Sequence, residues 1–312
     1  MTKLLRKIMA ATALLMSTTA FAQGNCCPEV YTPQCCETNC CGNFFVSAEL
    51  LYWRAFEGGL ANPCEGIEIN TIVDQGVTFS ILNGTSHFPN SEWNPGFRFG
   101  VGYQFGDRDC DLAVYWTYYK SDTRGGNDLN LYKWNLDYNV VDAFYSCDFN
   151  CSSCFGFSPY FGLRYAQIDQ CINKEFITTI DSVQQLTSTR IKQDFWGVGP
   201  VFGVESDLGL GCGFSLYGNA AVGVLFGKYD VNSRREVVLD TVTNIDNLVN
   251  DPQASTVVLD LGFGVRWTTC YCDKVVSLQI GVEEHRYFNH NQFCGYGDLS
   301  MAGVNVGVGV EF

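Results

Sequence analysis

Eight ionisable side chains fall on the small or polar face of alternating segments: Glu49, Arg98, Asp111, Arg164, Asp260, Arg266, Glu283 and His285. Turned toward a common interior, charges of both signs hold water, so such a set suits the lining of an aqueous passage. The same set suits a salt-bridged plug, because small barrels are filled by their own side chains. Hydrolysis is the competing chemistry and needs a nucleophile, a histidine base and an orienting group. The histidines are His87, His285 and His290. His285 shares a face with Glu283 and with Ser277, eight residues away. Along an extended chain that is ~27 Å, too far for a hydrogen bond. The expectation is a pore-lining set and no catalytic one, with no cofactor and no metal.

The elements that would position these residues are strands. Residues 299–312 read LSMAGVNVGVGVEF, with Val304, Val306, Val308, Val310 and Phe312 on one parity and Gly303, Asn305, Gly307, Gly309 and Glu311 on the other. Side chains alternate across a strand, so one face is apolar and the other small or polar. An apolar outer face over a polar inner one is the arrangement of a closed barrel in lipid. Residues 95–105 repeat it, with Phe97, Phe99, Val101, Tyr103 and Phe105 opposite Arg98, Gly100, Gly102 and Gln104. Further alternating segments span 44–56, 110–120, 157–168, 191–206, 212–226, 253–267 and 274–287. Segment 131–146 has an ambiguous phase: Trp134, Leu136, Tyr138 and Val140 agree, but Asp142 then joins their face, and a bulge near Val141 would resolve the conflict. A hairpin is expected within the long connection, 67–73 with 77–82.

The count is ten strands, and the connections alternate in length: short near 107, 150, 209 and 271, long near 75, 125, 180, 240 and 293. Short turns at one end and longer loops at the other are the habit of bacterial outer-membrane barrels, and each segment reaches the 9–11 residues of a tilted span. The fold expected is all-β, a transmembrane antiparallel up-and-down β-barrel, ten strands favoured and twelve or more the alternative.

Sixteen cysteines distribute unevenly over this layout. Cys26, Cys27, Cys35, Cys36, Cys40, Cys41, Cys110, Cys147, Cys151, Cys154, Cys212, Cys270 and Cys272 fall at the short-turn end, and only Cys64, Cys171 and Cys294 fall in long connections. The first thirteen are disulfide candidates, since exported thiols oxidise. Zinc is the sharper alternative for the amino-terminal six, but no histidine lies near them. Cys151-x-x-Cys154 has the spacing of a redox motif without a thioredoxin-like βαβ pattern around it, which favours structural bonding.

The amino terminus indicates the compartment. Lys3, Arg6 and Lys7 precede the apolar run 8–16, and Ala20-Phe21-Ala22 forms an A-x-A cleavage site. This is a secretory signal peptide. The domains expected are a signal peptide over 1–22, a cysteine-rich periplasmic segment over 23–43 and a transmembrane barrel over 44–312. A formal net charge of −14 excludes nucleic acid as a partner, because phosphates select basic surfaces.

Four stretches carry a resemblance: ELLYWRA from Glu49, EWNPGFRFGVGY from Glu92, SPYFGLRYA from Ser158 and FWGVGP from Phe195. Together they resemble the Legionella-type major outer membrane proteins and the related porins of environmental chlamydiae, over most of the chain. The resemblance implies a pore-forming protein, and it tips the lumen toward a passage rather than a plug. The cysteine wealth is similar to chlamydial envelopes, where disulfides between outer-membrane proteins give rigidity; members of that group carry higher strand counts than ten. The function expected is an outer-membrane porin for passive diffusion of small hydrophilic solutes, with a disulfide-cross-linked structural role. The alternative is a non-conducting structural barrel or an adhesin acting through its outer loops. Candidate partners are outer-membrane lipid, other cysteine-rich envelope proteins and further copies of the chain.

Overall fold

The computed structural model describes residues 42–58, 68–74, 77–83, 91–106, 109–127, 130–152, 154–180, 183–239, 242–250, 253–271, 274–292 and 297–312. The expected signal peptide and nearly all of the cysteine-rich segment lie outside them. Ten long strands form the wall: β1 (Asn43–Glu57), β4 (Trp93–Phe105), β5 (Cys110–Asn127), β6 (Asn130–Cys147), β8 (Phe155–Ile180), β9 (Val183–Gly211), β10 (Phe214–Leu239), β12 (Gln253–Tyr271), β13 (Lys274–Tyr287) and β14 (Leu299–Glu311). Each pairs antiparallel with its sequence neighbours in the wall, and β1 pairs with β14 from Phe45↔Glu311 to Glu57↔Leu299. That last pairing closes the sheet and leaves the wall without an edge. The strand count is ten, and no helix occurs among the described residues.

Four shorter strands lie off the wall. β2 (Glu68–Asp74) and β3 (Val77–Asn83) form the expected hairpin, β7 (Phe149–Ser152) pairs with β8 at the short-turn end, and β11 (Val242–Asn250) pairs with β10. Around the long connections expected near 180 and 240, residues 169–180, 183–190, 227–239 and 242–250 are strand. Pairing of β8 with β9 continues to Ile180↔Val183, and β11 takes over the edge of β10 beyond the reach of β12. These extensions lack the apolar alternation of a lipid face because they project past the membrane, where backbone pairing persists without an apolar stripe. The β9–β10 connection is the tripeptide Gly211–Cys212–Gly213, all at positive φ, which two glycines make accessible.

Outward faces are apolar as the alternation requires. On β12, Val257, Leu261, Phe263 and Val265 are exposed; on β14, Val304, Val306 and Val308 are. Tyr52, Trp93, Trp116, Tyr165, Trp196 and Phe226 mark one border of the belt, and Phe44, Phe214 and Phe312 the other. Aromatic girdles at both edges of an apolar band are the signature of a lipid-embedded barrel. Phe312 donates its amide to the Phe44 carbonyl at 2.8 Å, and the Lys274 ammonium lies 4.3 Å from its ring centroid.

Strand β6 departs from expectation. Its pairing with β5 and with β8 runs without a register shift, so no bulge occurs at Val141. Trp134, Leu136, Tyr138, Val140 and Asp142 are all buried, and Val141 is exposed. The apolar parity of β6 therefore points inward. Asp142 held the clue, since a carboxylate in lipid is expensive and belongs to the lumen.

Candidate functional site in the lumen

All eight residues expected to line the lumen border one interior cavity of ≈650 Å³. Period-two alternation brings them in from six strands: β1 supplies Glu49, β4 Arg98, β5 Asp111, β8 Arg164, β12 Asp260 and Arg266, and β13 Glu283 and His285. Glycines on the same parity make room for rings from neighbouring strands. A Cβ on Gly100 would stand 2.6 Å from the Tyr115 ring, and one on Gly203 would fall within the ring of Tyr160. Interior glycine thus serves the packing of interior tyrosine, more than it widens a bore.

The charges form two joined clusters. Arg98 donates to Glu49 at 2.9 Å, to Glu283 at 3.2 Å and to Thr117 at 3.2 Å, while Asn305 donates to Glu49 at 3.2 Å. Arg164 grips Asp142 through two bonds of 2.6 and 3.0 Å, and its Nη1 lies 2.8 Å from Asp260. His285 joins the clusters: Nδ1 is 2.8 Å from Asp260, and Nε2 is 3.3 Å from Arg98 Nη2 and 3.7 Å from Glu283. Every nitrogen of that imidazole faces a charged group, so no hydroxyl is placed to use it as a base. Nearer the short-turn rim, Arg266 bonds Glu205 at 2.6 Å and Asp207 at 3.2 Å, and Ser146 donates to Asp111 at 2.7 Å. Asp142, Glu205 and Asp207 escaped the pore-lining set; Glu205 and Asp207 share strand parity with the lumen glycine Gly203, while Asp142 sits on the apolar parity of β6.

Toward the long-strand end the lumen is filled. Leu51, Trp53, Ala55, Tyr119, Leu136, Tyr138, Ile168, Phe195, Leu225, Tyr229, Val258, Tyr287, Leu299 and Met301 are buried there within one cluster. Its members come from every wall strand except β4. The tyrosines satisfy their hydroxyls inside the layer: Tyr138 with Tyr287 at 2.9 Å, Tyr229 with Thr256 at 2.8 Å, and Tyr119 donates to the Trp53 carbonyl at 3.2 Å. The segment after β13 covers the layer. His290 is fully buried, its Nδ1 3.1 Å from the Tyr229 hydroxyl, and its carbonyl accepts from Gln193 at 3.0 Å. Asn291 donates to the Gly58 carbonyl at 2.8 Å. The cavity reaches the opposite rim, where Asp109, Asp148 and Glu311 line it.

At that rim Cys110 and Cys147 are disulfide-bonded across β5 and β6, and Cys154 is also disulfide-bonded. Cys151 and Cys212 are exposed free thiols, and neither is bonded to another described residue. Cys270 is half-buried at the end of β12. Cys26, Cys27, Cys35, Cys36, Cys40, Cys41 and Cys272 lie outside the described residues. Among the described residues no group of side chains could hold a metal ion.

Comparison with known proteins follows from this geometry. No curated protein sequence matches the chain. Solved structures of similar outline include the outer membrane protease OmpT of Escherichia coli (9% identity, 86% of this chain and 96% of that one, TM-score 0.42). Others are Ail, the attachment invasion locus protein of Yersinia pestis (12%, 87% and 99%, TM-score 0.24), and a Pseudomonas aeruginosa FadL homologue (7%, 86% and 90%, TM-score 0.26). Likeness at these values carries no conclusion about activity. A sequence model of the Legionella pneumophila major outer membrane protein precursor matches residues 36–311. With that match over most of a chain already seen as a closed, lipid-facing barrel, this protein belongs to the Legionella major outer membrane protein family and resides in the bacterial outer membrane.

Proposed function

We propose that this protein is a closed structural barrel of the outer membrane, which presents its projecting β8–β11 sheet to the surroundings and its charged chamber to the periplasm. The apolar layer across the lumen carries this reading. Aromatic and aliphatic side chains from nine of the ten wall strands meet there, and several have no accessible surface at all. A hydrated solute crossing it would lose its water without gaining polar partners. Exposed Cys151 and Cys212 at the periplasmic rim support a disulfide-linked structural role beside it, with neighbouring envelope proteins or further copies as partners. The reading is non-enzymatic, in keeping with an imidazole locked among Asp260, Glu283 and Arg98.

Passive diffusion of small hydrophilic solutes is the second reading. The mixed-charge chamber of ≈650 Å³ favours it, and it requires the apolar layer to move aside. Single-channel recording of the refolded mature protein in planar bilayers separates the two. The closed barrel gives no discrete steps, oxidised or reduced, from a protein whose heat-modifiable migration shows it folded. Reproducible steps from the unmodified protein would overturn it in favour of the porin.

A further inference from the structure

Register across β5, β6, β8, β9 and β10 aligns charges into rows on the outward face, just beyond the aromatic border. Lys120, Asp137, Asp169, Asp194 and Asp230 stand directly opposite one another in succession. Four residues farther out, Arg124, Lys133, Asn173, Arg190 and Arg234 do the same. All lie on the parity that faces lipid lower down, where Trp196 and Phe226 are exposed.

The outer row is unusual in sign. Arg190 opposes Arg234 directly, and like charges so placed destabilise a sheet unless an anion lies between them. Arg124 and Lys133, the other like pair, share Asp122 at 3.3 Å each. Arg190 has no acidic partner among the described residues, and Arg234 only a long contact to Glu236 at 3.7 Å. Lys192, between the rows, pairs with Asp194 and remains half-exposed. A groove of ≈290 Å³ opens here, bordered by Arg190, Lys192, Asn232 and Arg234 and by β11. Val249, paired with Asn232, shares the outward face of the arginines and is 66% exposed, while Leu248, paired with Ser233, turns to the opposite face. The aspartate row offsets Lys192 through Asp194, but it stands ~13 Å from Arg190 and Arg234 along the strands, beyond the ~8 Å Debye length, and leaves those two uncompensated.

We propose that this groove docks the phosphorylated headgroup of an outer-leaflet glycolipid. The phosphate lies between Arg190 and Arg234, with Lys192 beneath it, and a sugar ring covers Val249. Charge complementarity selects an anion, and the outward parity shared with the lipid-facing belt selects one carried on a membrane glycolipid whose phosphate stands above that belt. Guanidinium pairs suit phosphate because two parallel N–H groups meet two oxygens.

The probe is bisphosphorylated lipid A, titrated against the refolded full-length protein in neutral detergent, with fully dephosphorylated lipid A alongside. The phosphorylated form is expected to bind saturably and to weaken with salt. Replacing both arginines (Arg190→Gln with Arg234→Gln) is expected to weaken it about thirty-fold, since each surface cation supports an anionic headgroup modestly. Both positions are exposed, and unchanged heat-modifiability would show the barrel intact. The lysine pair (Arg190→Lys with Arg234→Lys) is expected to retain most of the affinity. Equal binding by the glutamine variant overturns the proposal, as does equal binding of the dephosphorylated lipid. Displacement by inorganic phosphate at matched concentration would overturn the lipid as the occupant.

Discussion

Arg164 lies between two carboxylates, Asp142 and Asp260, and all three side chains are nearly sealed from solvent. A buried ion pair is weak evidence for stability, because desolvation offsets most of the Coulomb attraction. Breaking one is another matter. Replacing Arg164 with Met leaves Asp142 buried without a cation, while Asp260 keeps His285, and the expected loss is about 3–5 kcal/mol. The check is the urea midpoint of the detergent-solubilised barrel. The double variant Arg164→Met, Asp142→Asn should recover most of that loss, since the uncompensated carboxylate is gone. A loss in the single variant that persists undiminished in the double one would assign Arg164 a packing role instead.

At the scale of elements, the segment after β13 is the lid of the apolar layer, and His290 is its anchor. The ring packs against Phe195, Tyr229 and Tyr287, and burial holds its pKa down at about 3. A depressed histidine pKa has a definite sign in linkage. Above about pH 6.5 both folded and released forms are neutral, and the lid keeps its full stability. As pH falls below that, the released form takes up a proton the buried ring refuses, costing about 1.4 kcal/mol per unit until the folded pKa is reached. The opening free energy over residues 288–292, read from hydrogen exchange corrected for the intrinsic rate at each pH, should therefore fall by about 2 kcal/mol between pH 7.5 and pH 5. The variant His290→Phe should show no such pH dependence; a slope unchanged in that variant would assign it to another group. Strand lengths carry a second lesson at this scale. The outward run Val257–Trp267 was legible because lipid enforces alternation on every second residue. The outer halves of β8, β9 and β10 were not, because a sheet wetted on its outer face places no such demand.

For the molecule as a whole, the apolar layer divides the lumen into a charged chamber toward the short-turn rim and a filled half toward the long-strand end. Removing its largest rings tests whether this layer is the barrier. The pair Trp53→Ala and Tyr287→Ala deletes two fully buried side chains from the layer. In planar bilayers this variant should give discrete conductance steps that the parent protein does not. Silence from a folded variant would mean that neighbouring side chains collapse into the space, and that the seal is thicker than these two rings.

The amino-acid sequence by itself determined the strand type, the number of wall strands and the lipid face of nearly all of them. Each of these follows from alternation along one strand, and alternation is a local property that lipid imposes residue by residue. It also placed eight ionisable residues on the inward parity, since a charge on the small face of such a strand has only the interior to occupy, and it missed Asp142, Glu205 and Asp207. Only the tertiary structure decided what those charges meet and which side chains fill the lumen. Tyr138 reaches Tyr287 across 149 residues of chain, and Arg98 reaches His285 across 187. Such contacts exist only after β1 pairs with β14 and closes the wall. The same closure turned the apolar face of β6 inward, where alternation alone could assign two faces but not say which was inside. The stacked charge rows over β5–β10 arose likewise from register, because residues far apart in the chain become neighbours only when backbone pairing aligns them.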